Sequence, residues 1–156
     1  MLWTFDPLQA GNAHFNVNHL GALPIEYVPD MYGSNTGSTL HGPLPTDRFI
    51  VRWQLDSPFV RKAKGGEDAL PLANPLDESA QPTAAAIPTD MPRVRVQIPA
   101  DFSAISSAGT SAAMQWRLVV REVMTSLLEK GYRITGFRKT EDGALPFYIL
   151  EHRGPH

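Results

Sequence analysis

Asp47 and Arg48 stand where a polar loop gives way to an alternating apolar run, and Tyr27 and Tyr32 bracket the start of that loop. An arginine entering a strand can clamp a carboxylate with two parallel hydrogen bonds, and Asp47 can hold either Arg48 or an amine. Tyr32, Asp47 and Arg48 are therefore the candidate substrate contacts. The same residues also suit a structural ion pair in which Asp47 caps the loop. Arg117 and Arg121 are four apart in a helical pattern, an unfavourable like-charge pair unless anions meet it. Those anions are Glu or Asp from the C-terminal hairpin, or a carboxylate or phosphate of a substrate. His14 and His19 are five apart, which is not the four-residue spacing of a helical metal site, and no acidic or Cys partner stands near them. The sequence therefore predicts no metal.

The elements that must position these groups follow from local pattern. Leu2 to Phe5 is a short apolar run suited to a buried strand. Asp6 offers an N-cap carboxylate, Pro7 fits the first helical position and Gln9 takes the capping-box place, so a helix is expected from here. Ala13, Val17 and Leu20 form its apolar stripe and Gly21 ends it with a positive φ. Phe15, an aromatic on a packed helix, is expected to bury its ring in the core. Leu23 to Val28 reads as a strand interrupted by Pro24, followed by a turn from Pro29 to Gly33 and a loop from Ser34 to Pro45. Phe49, Val51, Trp53 and Leu55 alternate as a strand, and Ser57-Pro58 caps a short helix that runs out at Gly65-Gly66.

Residues 67–92 hold five prolines and an Ala run, a loop or linker expected to wrap over the fold, because neither flank looks complete alone. Val94, Val96 and Ile98 mark another strand. Asp101 caps a short turn, and Thr110 or Ser111 opens the longest helix, packed through Met114, Leu118, Val119, Val123, Leu127 and Leu128 up to Gly131. Tyr132 to Arg138 and Leu145 to Glu151 make a closing hairpin with Asp142-Gly143 in its turn.

The chain has 156 residues, 42% hydrophobic, a formal charge of −2 and no cysteine. That is enough apolar material for one core or two small lobes. The charge gives no basic face for nucleic acid. The absence of thiols excludes disulfides and thiolate chemistry and favours a reducing cytoplasm. The apolar start is too short for a signal peptide or a membrane span.

The run Trp3-Thr4-Phe5-Asp6-Pro7-Leu8, with Asn12 in the following turn and a helix closing at Leu20-Gly21, resembles the GNAT acetyltransferase superfamily, and within it a branch with a Trp-Thr-Phe-Asp-Pro-Leu signature. Leu44 to Phe49, Trp116-Arg117 and Arg121-Glu122 to Gly131-Tyr132 extend the resemblance over most of the chain outside the Pro-rich middle. It implies an α/β fold (α+β, mixed sheet), with 1–66 as the C-terminal part of the core, 67–92 as the loop, and 93–156 as a strand, helix and hairpin lobe on the same sheet. It implies acetyl-CoA or another acyl-CoA such as succinyl-CoA as co-substrate, held by Asn12, Phe15 and Asn16; Asn12 either bonds the pantetheine arm or caps the turn. The reaction implied is direct acyl transfer to a small amine such as an amino acid, with Glu26, Asp30 and Asp47 the candidate bases by position alone.

Two departures stand against this. The pyrophosphate-binding Gly-rich turn of the superfamily is absent from the 156 residues, and Val17 stands where many members carry a Tyr acid. The chain is therefore expected to be the C-terminal half of an N-acyltransferase, incomplete alone, that pairs with a missing N-terminal half or forms a homodimer over the open edge of its first strand. The competing expectation is a non-catalytic ligand-binding or dimerisation module.

Overall fold

A computed structural model describes residues 2–29, 47–52, 70–79, 81–84, 91–139 and 145–152. The expectations on Asp30, Tyr32, Trp53, Leu55, the Ser57-Pro58 helix and the Asp142-Gly143 turn lie outside these residues. Strands β1 (Leu2–Phe5), β2 (Leu23–Val28) and β3 (Arg48–Arg52) form one sheet in the order β1-β3-β2. Strands β4 (Arg93–Gln97), β5 (Tyr132–Arg138) and β6 (Phe147–His152) form a second in the order β4-β6-β5. Each sheet is built from the chain order strand, helix, strand, strand. Each places its last strand in the centre, antiparallel to both neighbours. The two halves are thus topological copies: the outer strands run parallel to one another and need a crossover, which the helices supply. The molecule is α+β.

Helix α1 (Ala10–Ala13) begins later than the capping pattern predicts. Asp6 accepts from the Leu8 N–H at 3.0 Å and its carbonyl accepts from Gln9 N at 3.1 Å, so residues 6–9 close a tight turn and Gln9 becomes the cap. The Asp6 carboxylate is drawn to Arg117 instead, a long-range partner that overrides local capping. Past Ala13 the helix widens into a π-helical stretch, His14–His19, with Leu20 N bonded to Phe15 O across five residues at 3.0 Å. Ala13 and Val17 are buried as the stripe predicts, and Gly21 ends the helix at φ 68°. Phe15 is 54% exposed, against the expectation that it enters the core, because the widened turn rotates it outward.

Pro24 does not break β2; the ladder to β3 shifts register between Pro24 and Glu26, a bulge of the kind that admits a proline. In the second half, Asp101 caps α2 (Phe102–Ala108) by accepting from Ala104 N at 3.1 Å, so a helix replaces the expected short turn. Helix α3 (Thr110–Glu129) follows, stopped by Gly131 at φ 98°. Its predicted core face holds except at Leu118, which is 44% exposed.

Part of the Pro-rich middle lies along β4. Leu72 bridges Arg95 in parallel, and Ala73 N and Arg95 N exchange bonds with Arg95 O and Pro71 O at 2.9 Å each. Asn74 and Gln97, both buried, lock this contact: Asn74 Nδ2 donates to Gln97 O at 2.7 Å, Gln97 N donates to Asn74 Oδ1 at 2.9 Å, and Gln97 Nε2 donates to Asn74 O at 2.9 Å. Replacing Asn74 by Ala strands two backbone groups of β4 out of water. It is expected to cost about 3 kcal/mol, read as a lower urea midpoint at unchanged slope.

One core joins the two sheets. Phe49 packs on Phe5, Tyr27 and Tyr148 with ring centroids 5.7, 5.4 and 5.3 Å away, and Tyr148 meets Phe137 at 5.0 Å. The Tyr148 hydroxyl donates to Pro7 O at 2.7 Å, tying β6 to the turn after β1. Such tilted and edge-on pairs each add about 1 kcal/mol beyond their burial. Among the described residues, no helix is long and apolar enough to cross a membrane.

Candidate functional site

Two Arg–Asp forks lie between α3 and the first sheet. Arg117 Nη1 and Nη2 donate to Asp6 Oδ1 and Oδ2 at 2.6 and 2.9 Å. One turn on, Arg121 Nε and Nη2 donate to Asp47 Oδ2 and Oδ1 at 3.0 and 2.7 Å. The Tyr27 hydroxyl donates to Asp47 Oδ2 at 2.5 Å, and Arg48 leans toward Asp6 at 3.9 Å. The like-charge pair predicted on α3 is therefore met by protein carboxylates, drawn from the turn after β1 and the start of β3 rather than from the C-terminal hairpin. Asp47 is fully buried, its carboxylate held by Tyr27 and Arg121 rather than open to solvent.

Burial is the largest influence on Arg117 and pulls its guanidinium down. The hydrogen bonds and charge of Asp6, with the charges of Asp47 and Tyr27, outweigh burial and hold it above the ordinary arginine value. Its Nε is buried with no hydrogen-bond partner, and the guanidinium lies 5.0 Å over the Phe102 ring. Burial foremost, then the charge and hydrogen bond of Asp47, push the Tyr27 phenol well above its ordinary value against the opposing charges of Arg117 and Arg121. At neutral pH Tyr27 is a fixed donor, not a base.

The other polar face belongs to the first helix. Asn16 is buried: its Oδ1 accepts from Trp3 Nε1 at 2.6 Å and its Nδ2 donates to Asn12 O at 2.8 Å, so it braces β1 against the helix. Asn12 and Phe15 are exposed on neighbouring turns. His14, Asn18 and His19 share one surface: His14 Nδ1 lies 2.9 Å from Asn18 Nδ2, and the two Nε2 atoms are 3.2 Å apart. Partial burial, with the charges of His19 and Lys139, holds His14 below the usual imidazole value.

The π-helical stretch packs on β5, and β5 approaches β2. Both are outer strands of their sheets, and no ladder joins them among the described residues. Each also carries a register shift, at Pro24/Glu26 and at Ile134/Gly136, and bulges re-aim side chains at such edges. Ile25, at the first shift, is 41% exposed. The structure thus brings Asn12, Phe15 and Asn16 onto one helix, with only Asn12 and Phe15 reachable. It places Asp47 and Arg48 in the charge network behind β1 and β3.

The fold and site define an α+β protein with a salt-bridged interior and a helix-flanked edge between two small sheets. No family model matches the chain, and no curated protein or solved structure is significantly similar to it.

Proposed function

We propose that this chain supplies the acyl-CoA-binding part of a GNAT-type N-acyltransferase that acts on a small amine such as an amino acid, in the cytoplasm, with the phosphate anchor provided by a partner segment or a second copy. The observation that carries this reading is the exposure of Asn12 and Phe15 on the helix that follows β1, whose π-helical stretch packs on the outer strand β5. Pantetheine is a chain of two amides ending in a thiol. A strand edge can pair its amides, an exposed Asn amide can bond one of them, and an aromatic ring can cover its methylenes. The acceptor's recognition falls to Arg48 and Tyr32, and Asp47 fixes Tyr27 and Arg121.

Calorimetric titration of the purified chain with acetyl-CoA, and separately with succinyl-CoA, tests this. Micromolar binding is expected, weakened about tenfold by Asn12→Ala or Phe15→Ala. Both residues are exposed, so neither substitution should shift the thermal midpoint. A folded chain that binds neither thioester sinks the proposal and leaves the dimerisation module as the reading.

A further inference from the structure

The sequence spacing of His14 and His19 argues against a helical metal site, because residues five apart diverge on an α-helix. The π-helical stretch changes that geometry: its bonds run across five residues, so positions i and i+5 stack on one face. Their rings meet edge to face with centroids 4.8 Å apart and Nε2 atoms 3.2 Å apart. We propose that His14 and His19 form a two-imidazole clamp for a divalent late first-row cation such as Cu²⁺, Ni²⁺ or Zn²⁺, with Nε2 of each ring as ligand. This inference does not rest on the acyltransferase reading.

The distances carry the argument. A cation about 2.05 Å from each of two nitrogens 3.2 Å apart subtends about 100° at the metal, close to tetrahedral and within reach of tetragonal geometry. In the metal-free arrangement one Nε2–H points at the other nitrogen. On binding, the His14 proton transfers through solvent from Nε2 to Nδ1, and small χ1 and χ2 adjustments of both rings turn the two Nε2 lone pairs toward the cation.

Asn18 supplies the outer contact. Its amide lies 2.9 Å from His14 Nδ1, and a flip presents the carbonyl oxygen to the Nδ1–H that a metal-bound His14 must carry. His14 is half-buried and His19 exposed, so the cation keeps open positions for water or a ligand from solution. Among the described residues, no group of three or more His, Cys, Asp or Glu could hold a metal ion, so the clamp has two protein ligands. The charge of Lys139, which acts on His14, opposes a cation and sets a modest affinity.

The test is titration of the tag-free full chain with CuCl₂ and with ZnCl₂ in a non-chelating buffer, with circular dichroism to verify the fold. One equivalent of Cu²⁺ should bind, and Zn²⁺ more weakly. His14→Ala and His19→Ala should each weaken Cu²⁺ at least tenfold, Asn18→Ala about threefold, and Lys139→Gln should tighten it a few-fold. Electron paramagnetic resonance of the Cu²⁺ form should show two coordinating nitrogens, and one nitrogen in either His variant. Binding unchanged in the His14→Ala/His19→Ala double variant, or no binding by the folded parent chain, overturns the proposal. His152→Ala, a histidine remote in sequence, is expected to leave the titration unchanged.

Discussion

Replacing Arg117 by Ala should destabilise the protein by about 3–5 kcal/mol, the largest single-residue effect expected outside the aromatic core. The side chains of Arg117 and Asp6 are 4% and 14% exposed, and both carboxylate oxygens are held. Without the arginine, Asp6 keeps, among the described residues, the backbone N–H of Leu8 and Arg48 at 3.9 Å, a contact too long to be a strong hydrogen bond. The charge would stay half out of water beside the Pro7 turn, on which Tyr148 also leans. The loss of the Arg117 guanidinium from the face of Phe102 adds a further cost.

Asp6→Ala should cost a similar amount, because it leaves the buried guanidinium unmet. The double variant should cost little more than either single, a coupling of about 3–4 kcal/mol in a double-mutant cycle followed by urea unfolding. An Arg117→Ala penalty below about 1 kcal/mol, the value of an exposed pair, would mean that solvent reaches this fork and that α3 is not anchored through it.

The same fork explains where sequence reading stopped. Local rules found β1, the Gly21 and Gly131 stops, α3 and the strands from Arg93 onward, since each rests on residues within a turn or two of each other. Asp6 looks like a helix cap over a six-residue window. Only the fold reveals that a residue 111 positions away claims its carboxylate. The partners of Arg121 were missed for the same reason: a helical like-charge pair announces that anions must meet it, but not that they come from the start of β3.

The π-helical stretch defeats the 3.6-residue template outright, which is why Phe15 faces out and His14 meets His19. The run of Asn and His residues there, poor helix formers all, was the available signal. The shared topology of the two halves left no mark in the sequence, because a short α1 with its π-helical turn serves as crossover in one and the short α2 with the long α3 in the other. Of the candidate site, Asn12, Phe15 and Asn16 were legible as one helix, but their exposure was not.

Stability should stay level from about pH 8 to pH 10 and then fall steeply, because two tyrosines hold their protons in the folded state well beyond the unfolded value of 10.0. Burial is the main cause for both, reinforced by the charge of Asp47 on Tyr27 and of Asp6 on Tyr148. Above pH 10 the unfolded chain loses both protons while the folded chain keeps them, so the unfolded state binds fewer protons and stability falls as pH rises. Each group that keeps its proton in the folded state contributes a slope approaching about −1.4 kcal/mol per pH unit above pH 10, a large effect against the marginal stability of a small domain.

Urea midpoints measured from pH 8 to pH 11.5, with tyrosinate absorbance followed in parallel, would show the fall and tie it to unfolding. Tyr27→Phe should lower stability at neutral pH by about 1–2 kcal/mol, since Asp47 loses one donor but keeps Arg121, and should flatten the alkaline fall by half. The two effects have opposite sign above pH 10, so the curves of parent and variant should converge there. Tyrosinate absorbance that rises near pH 10 for all tyrosines of the still-folded protein would show instead that the Tyr27–Asp47 and Tyr148–Pro7 contacts are open to water.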